Sequence, residues 1–157
     1  MIFSPEKSYE EIAERIRIKA NPGREIVFVN GCFDVIHPGH VSILRFAASR
    51  SQGRNWPFVV VALNSDESVA RLKGHSRPIF PLRHRMDIVQ AFRYVNAVCS
   101  FSEDTPIDLI RAIRPDFIVK GGEYRKDEVV GHDIARVLIA PMVPGFSTTE
   151  TVRRVMS

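Results

Sequence analysis

His37 and His40 sit in the stretch of this sequence that is densest in chemistry, Gly31-Cys32-Phe33-Asp34-Val35-Ile36-His37-Pro38-Gly39-His40. The stretch follows a β-branched and aromatic run at 26–29. It leads into a pattern at 38–49 that places Val41, Leu44 and Ala48 along one side, so it reads as a loop between a strand and a helix. A helix start presents unpaired backbone N–H groups and the positive end of the macrodipole, which together attract phosphate. Gly31 lets the backbone approach a ligand closely, and Pro38 is preset for a first helical turn. Two imidazoles three residues apart in that turn can point to the same side. There they could hold the oxygens of a phosphate whose charge grows during substitution. Cys32 reads as a small residue in a tight loop, with nothing to make it a nucleophile. His75, His84 and His132 are scattered, so no histidine metal site is expected.

The other candidates carry weaker signals when taken alone. Lys73 and Arg77 fall in a basic segment, 71–78, that reads as a loop; cations there are ordinarily just solvated. Arg85 lies in a helical pattern at 82–92, where an exposed arginine is an equal reading. Ser147 and Glu150 have capping-box spacing ahead of a closing helix at 148–155, yet Ser147, Thr148 and Thr149 could also grip an anion at that helix start. Lys120-Gly121-Gly122 ends a short strand, and paired glycines alone suggest a turn. Ser65 or Asp66 could cap a short helix after the second strand.

These groups require a scaffold, and the remaining sequence supplies one. Its 157 residues suffice for one domain, expected to span 1–157 with a helix and linker at 1–22. Apolar strand-sized runs at 26–29, 58–63, 95–101, 117–119 and 137–140 alternate with helical patterns at 9–19, 38–49, 82–92, 106–113 and 148–155. That alternation predicts an α/β fold: a Rossmann-like, doubly wound, five-stranded parallel sheet with helices on both faces. Phe58-Val59-Val60-Val61-Ala62-Leu63 is continuously apolar, as a strand covered on both sides should be. The amphipathic first helix would either cover the sheet or serve a contact between copies. With 45% hydrophobic and 25% charged residues, the chain is neither disordered nor built for a membrane. Cys32 and Cys99 are too few for a disulfide framework and no secretory signal opens the chain, so a cytoplasmic location is expected. The net charge of +4 reads as a scattered basic surface rather than a nucleic-acid interface.

Gly31-x-Phe33-Asp34-x-x-His37-x-Gly39-His40 resembles the signature of the cytidylyltransferase-like nucleotidyltransferases. Several further segments are similar to one branch, the adenylyltransferase domain of the ADP-heptose synthases: Asn64-Ser65-Asp66, Arg71-Leu72-Lys73-Gly74, Ser76-Arg77-Pro78, Ser102 to Pro106, Lys120-Gly121-Gly122-Glu123-Tyr124 and Gly145 to Thr149. The resemblance runs from about residue 25 onward and implies transfer of AMP from ATP to a sugar 1-phosphate, with release of pyrophosphate. It implies that His37, His40 and Lys73 stabilise the reacting phosphate. It assigns the nucleotide to Gly31, Cys32, Phe33, Gly39, Lys120, Gly121, Gly122, Ser147, Thr148 and Thr149, and the acceptor to Asp34, Asp66, Arg77 and Arg85. It further implies a Mg²⁺ ion travelling with the nucleotide, and a homodimer. A cytidylyltransferase acting on glycerol 3-phosphate is the nearest rival, and a non-turning-over nucleotide-binding module the next. The branch is often fused to a sugar kinase; this chain has no room for one and would act alone. Two loops depart from its pattern, 51–57 by being long and 131–136 by being short, and both are expected to reshape the acceptor pocket.

Overall fold

A computed structural model describes residues 1–50 and 56–156. Its five strands are β1 (Ile26–Gly31), β2 (Phe58–Asn64), β3 (Ala97–Phe101), β4 (Phe117–Gly121) and β5 (Arg136–Ala140). The helices are α1 (Tyr9–Ala20), α2 (Pro38–Ala48), α3 (Asp66–Lys73), α4 (Leu82–Gln90), α5 (Ile107–Ile113) and α6 (Thr148–Met156), with one 3₁₀ turn at Lys126–Glu128. The strands pair in the order β3-β2-β1-β4-β5, all parallel. This is the expected doubly wound α/β fold.

Side-chain alternation along the central strands builds two apolar layers. Ile26 and Phe28 of β1 pack toward Ile12 and Ile16 of α1 and Leu109, Ile110 and Ile113 of α5. Val27 and Val29 face the other way, toward Leu44 and Ala47 of α2 and Met86 and Val89 of α4. Every residue of β2 is buried, which is why its sequence shows no polar alternation. The apolar stripe of α1 is spent on the sheet, and a full Ser8–Glu11 capping box starts that helix. Residues 1–3 belong to the same body: Val98 N–H donates to the Met1 carbonyl and Phe3 N–H to the Val98 carbonyl, each at 2.8 Å.

The chain winds outward from β1 to β3 and then returns to β4 beside β1. The order therefore reverses between β1 and β4, and the crevice beyond their carboxyl ends is where such sheets take ligands. All strands being parallel, their amino ends lie at the opposite edge. The 131–136 segment leads into the amino end of β5, and Trp56 and Pro57 into that of β2. The 131–136 segment therefore lies at the edge away from the crevice, and the expectation that it reshapes a pocket there is corrected. Of the 51–57 connection, residues 51–55 lie outside the described residues.

One element reaches further than expected: the short helix that Ser65 or Asp66 could cap takes in the start of the basic segment that reads as a loop. The segment 66–73 is a helix, capped by Ser65, whose hydroxyl accepts from Ser68 N–H at 3.2 Å. Asp66 and Glu67 occupy its first turn, and Arg71 and Lys73 its last, which suits the macrodipole. Only Ser68 and Val69 are buried, too few to leave a periodic trace. Lys73 thus sits at a helix end, not in a loop.

Candidate active site

The signature stretch turns sharply before α2. Phe33 and Val35 adopt left-handed φ values of 48° and 51°, which is costly for a β-branched side chain and marks backbone held by its surroundings. His37 then takes the N-cap position, normally filled by a short polar residue. Its Nδ1 accepts from Gly39 N–H at 3.1 Å, and the Nδ1 of His40 accepts from His37 N–H at 3.3 Å. The pair forms a capping box made of two imidazoles, with ring centroids 3.9 Å apart. Because both Nδ1 atoms accept, each ring carries its proton on Nε2. Burial depresses the His40 pKa to about 4, aided by neighbouring His37 and opposed by Asp34, and burial also lowers that of His37. At neutral pH the two rings are uncharged Nε2–H donors.

Gly39 permits this geometry. A Cβ there would lie 2.9 Å from Cε1 and Nδ1 of the His37 ring. Gly121 does a similar service for α2, since a Cβ on that strand residue would overlap the Ile43 side chain. Only Gly122 of the paired glycines needs a left-handed turn, at φ 113°.

Asp34 organises the segments around the crevice. It is 3% exposed, and its carboxylate accepts from Arg77 Nη1 at 3.2 Å, Ile79 N–H at 2.9 Å and Phe80 N–H at 3.0 Å. Its carbonyl accepts from the Thr148 hydroxyl at 2.9 Å, which pins the start of α6. Two cavities result. One, of about 220 Å³, is lined by Cys32, Asp34, Val69, Lys73, Arg77, Ser147, Thr148 and Thr149. The other, of about 230 Å³, has His37, Gly39 and His40 on one wall and Ile43, Gly121, Gly122, Pro141, Met142, Val143 and Phe146 around it. Ser147 and Thr148 line both. A cationic chamber and an apolar chamber carrying the imidazoles therefore share one wall.

The structure brings together His37, His40, Gly39, Gly121, Gly122, Cys32, Lys73, Arg77, Ser147, Thr148 and Thr149. Others stand apart from the cavity walls. The Phe33 ring is buried against His40 at 5.0 Å between centroids and supports it rather than facing a ligand. Gly31 lines neither cavity. Lys120 is mostly buried between β1 and β4, where Nζ donates to Asn30 Oδ1 at 3.4 Å and burial lowers its pKa. Burial likewise raises the pKa of the Cys32 thiol, against the pull of Lys73, Arg85 and Lys120, so the thiol stays protonated at neutral pH. Ser147 and Glu150 form only half a capping box: Glu150 N–H donates to Ser147 Oγ at 3.1 Å, while the Glu150 carboxylate turns to Arg153 and Arg154.

The acceptor assignment of Arg85 is corrected. Arg85 is wholly buried, with its guanidinium turned to backbone carbonyls and Asp66, so it cannot touch an acceptor. Asp66 is engaged by Arg85 Nη2 at 2.7 Å and by Leu82 N–H at 3.2 Å, yet its side chain stays 40% exposed. Asp34 lines the cationic cavity, but its oxygens are already occupied. Among the described residues no group of three or more His, Cys, Asp or Glu could cage a metal ion. With both nearby aspartates engaged, the donors present fit a divalent ion held by phosphate oxygens and water rather than by a protein cage.

A doubly wound parallel sheet with two imidazoles at its first strand-to-helix turn defines the class, an α/β protein whose candidate site lies at the carboxyl edge of the sheet. Residues 28–154 match the family model described as cytidylyltransferase-like, and the chain belongs to that family. It is 47% identical over 153 residues to the bifunctional protein HldE of Gluconacetobacter diazotrophicus, covering 94% of this chain and 31% of that protein. It is 44% identical over 152 residues to the bifunctional protein HldE of Rhodopseudomonas palustris, covering 94% of this chain and 30% of the relative. The chain thus spans about a third of these relatives' length. Among solved structures, it is similar to the lipopolysaccharide core biosynthesis protein from Thermoplasma volcanium GSS1, with a TM-score of 0.61 at 23% identity over 77% of this chain and 98% of that one. It is also similar to a pantoate-beta-alanine ligase from Francisella tularensis complexed with beta-gamma ATP and beta-alanine, with a TM-score of 0.63 at 14% identity over 98% of this chain and 72% of that one. At such identities these two likenesses speak to the fold alone.

Proposed function

We propose that this chain is an adenylyltransferase that joins AMP from ATP to a heptose 1-phosphate, forming an ADP-sugar and releasing pyrophosphate. The observation that carries this reading is the pair of neutral imidazoles whose Nε2–H groups are fixed by backbone bonds to Nδ1. A phosphate nucleophile is already anionic near neutral pH, so its attack on the α-phosphorus needs no general base. What it needs is positioning and donors for the charge that builds on the non-bridging oxygens. His37 and His40 supply donors without giving or taking a proton. Lys73 and Arg77, in the adjoining cavity, supply the cations for an acceptor phosphate and the departing pyrophosphate. The N–H groups and hydroxyls at 147–149 border both chambers and suit the triphosphate between them. Gly121, Gly122 and the apolar wall from Pro141 to Phe146 suit a nucleobase and ribose. A Mg²⁺ ion bound to the triphosphate would neutralise its charge and favour departure of pyrophosphate.

The heptose acceptor rests on the similarity of Lys120-Gly121-Gly122-Glu123-Tyr124 and neighbouring segments to the ADP-heptose synthase branch, supported by the 47% identity to an HldE protein. Action of residues 1–157 as one domain, self-association as a homodimer and work in the cytoplasm belong to the same proposal. Among the described residues no helix is long and apolar enough to cross a membrane.

The test is pyrophosphate release with ATP and CTP side by side, against D-glycero-β-D-manno-heptose 1-phosphate and a panel of other sugar phosphates. We expect turnover with ATP and the heptose phosphate; activity with CTP alone would refute the adenylyl assignment. His40→Ala should lower kcat by ~10²–10³ while ATP still binds, the usual cost of removing a preorganised donor. Unchanged turnover in that variant would remove the role given to the ring.

A further inference from the structure

Arg85 is 0% exposed, although it carries a permanent charge. Its Nε donates to the Phe80 carbonyl at 2.9 Å and Nη1 to the Cys32 carbonyl at 2.6 Å. Nη2 donates to the Asn64 carbonyl at 2.9 Å and to Asp66 Oδ1 at 2.7 Å. Burying a guanidinium is costly unless nearly all its donors are met, and an apolar residue would fill a helix-to-sheet contact more cheaply. The acceptors show what the charge achieves. Cys32 belongs to the signature turn and lines the cationic cavity; Asn64 and Asp66 join the end of β2 to α3, which ends in Lys73; Phe80 closes the 74–81 loop, which carries Arg77. One rigid planar fork thus ties the three segments that deliver the cavity's thiol and both of its cations. It also takes up the carbonyls of Cys32 and Asn64, which stand at the carboxyl ends of β1 and β2, where an exposed carbonyl oxygen would repel an incoming phosphate.

We propose that Arg85 is a positioning residue of the transfer reaction: it holds the signature turn, the start of α3 and the 74–81 loop in one register, so that Lys73 and Arg77 meet the anionic substrates together. This rests on the adenylyl-transfer reading for its kinetic consequence, and on geometry alone for the local order it maintains.

The experiment compares Arg85→Lys, Arg77→Ala and the double variant in the pyrophosphate-release assay, alongside alkylation of Cys32 by iodoacetamide followed by mass spectrometry. Arg85→Lys keeps the charge and loses the fork. We expect kcat/KM to fall ~10²-fold, as for a substrate-binding group displaced by about an ångström. Because Arg85 acts through the segment bearing Arg77, the double variant should be little worse than the poorer single one rather than the product of both losses. Cys32 should be alkylated roughly tenfold faster, the effect of losing one charge-assisted hydrogen bond from a local opening. Cys99, fully buried in β3, should stay unlabelled, which separates a loosened turn from general unfolding. Multiplicative losses with Cys32 labelling unchanged, or wild-type kinetics in Arg85→Lys, overturn the proposal. If the unaltered protein releases no pyrophosphate with any nucleotide, the adenylyl reading falls, and selective Cys32 labelling alone then decides for or against the brace. Should Arg85→Lys fail to fold, Asp66→Ala, which removes one of the four bonds, is put through the same cycle and must give the same non-additivity.

Discussion

Gly39→Ala separates the catalytic work proposed for the α2 start from its structural work. The new methyl would sit 2.9 Å from two atoms of the His37 ring, inside the roughly 3.5 Å at which carbon atoms rest in contact. The backbone cannot yield easily, because it is the first turn of a helix beginning at Pro38, so the ring must swing aside. In doing so it gives up the hydrogen bond from Gly39 N–H and its packing on His40. Losing an N-cap bond costs about 1 kcal/mol, whereas replacing glycine by alanine in a helix returns up to about 1 kcal/mol. The two nearly cancel, and for a chain of this size the melting temperature should move by no more than about 2–4 °C. Activity should not be spared: with the ring in its proposed role, a displaced Nε2–H donor costs ~10²-fold in kcat. Pyrophosphate release measured beside a calorimetric melt makes the comparison. Wild-type kcat would sink the reasoning, and so would a loss of activity accompanied by a collapse in melting temperature.

The histidine pair also sets a pH dependence of stability. In the unfolded chain each imidazole takes a proton as pH falls through about 6.5, whereas folded His40 does so only near 4. Between those values the unfolded state holds more protons, so stability is full above about pH 6.5 and declines toward pH 4, by on the order of 2–3 kcal/mol from His40. Urea unfolding at pH 7.5 and pH 5 reads this difference, and His40→Asn should flatten it. Gly121→Ala should destabilise by ~1–3 kcal/mol through overlap with Ile43, with partial recovery when Ile43→Val is added; additive losses would contradict that contact. Arg114 ends α5 with φ 50°, so Arg114→Gly should stabilise by about 1 kcal/mol and raise the melting temperature by about 2–4 °C. A lower melting temperature would argue against strain at that position.

Much of the architecture was legible because the physics was local. The unbroken apolar run of β2 announces a strand covered on both faces, and Asn21-Pro22-Gly23 announces the end of α1. The signature turn was legible because a helix start, a permissive glycine and two like-sided imidazoles fall within ten residues. Long-range pairing was not. Nothing near Arg85 in sequence distinguishes a solvated helix arginine from one whose partners are carbonyls 53 and 21 residues away. Asp34 reads as a ligand-facing acid until the loop that saturates its oxygens has been folded over it. The helix at 66–73 shows too little apolar surface to register as periodic. The connection at 131–136 could have been discounted from sequence alone, because it leads into the amino end of a strand and a parallel sheet takes its ligand at the other edge.

The double imidazole cap makes the opening of α2 a poor place to seek heat resistance. A selection that rewarded survival at high temperature alone would favour aspartate or serine at position 37, since both are better caps than histidine. The survivors would carry a firmer helix and a blunted transferase, so thermal hardening of this protein should draw its substitutions from elsewhere, Arg114 first among them.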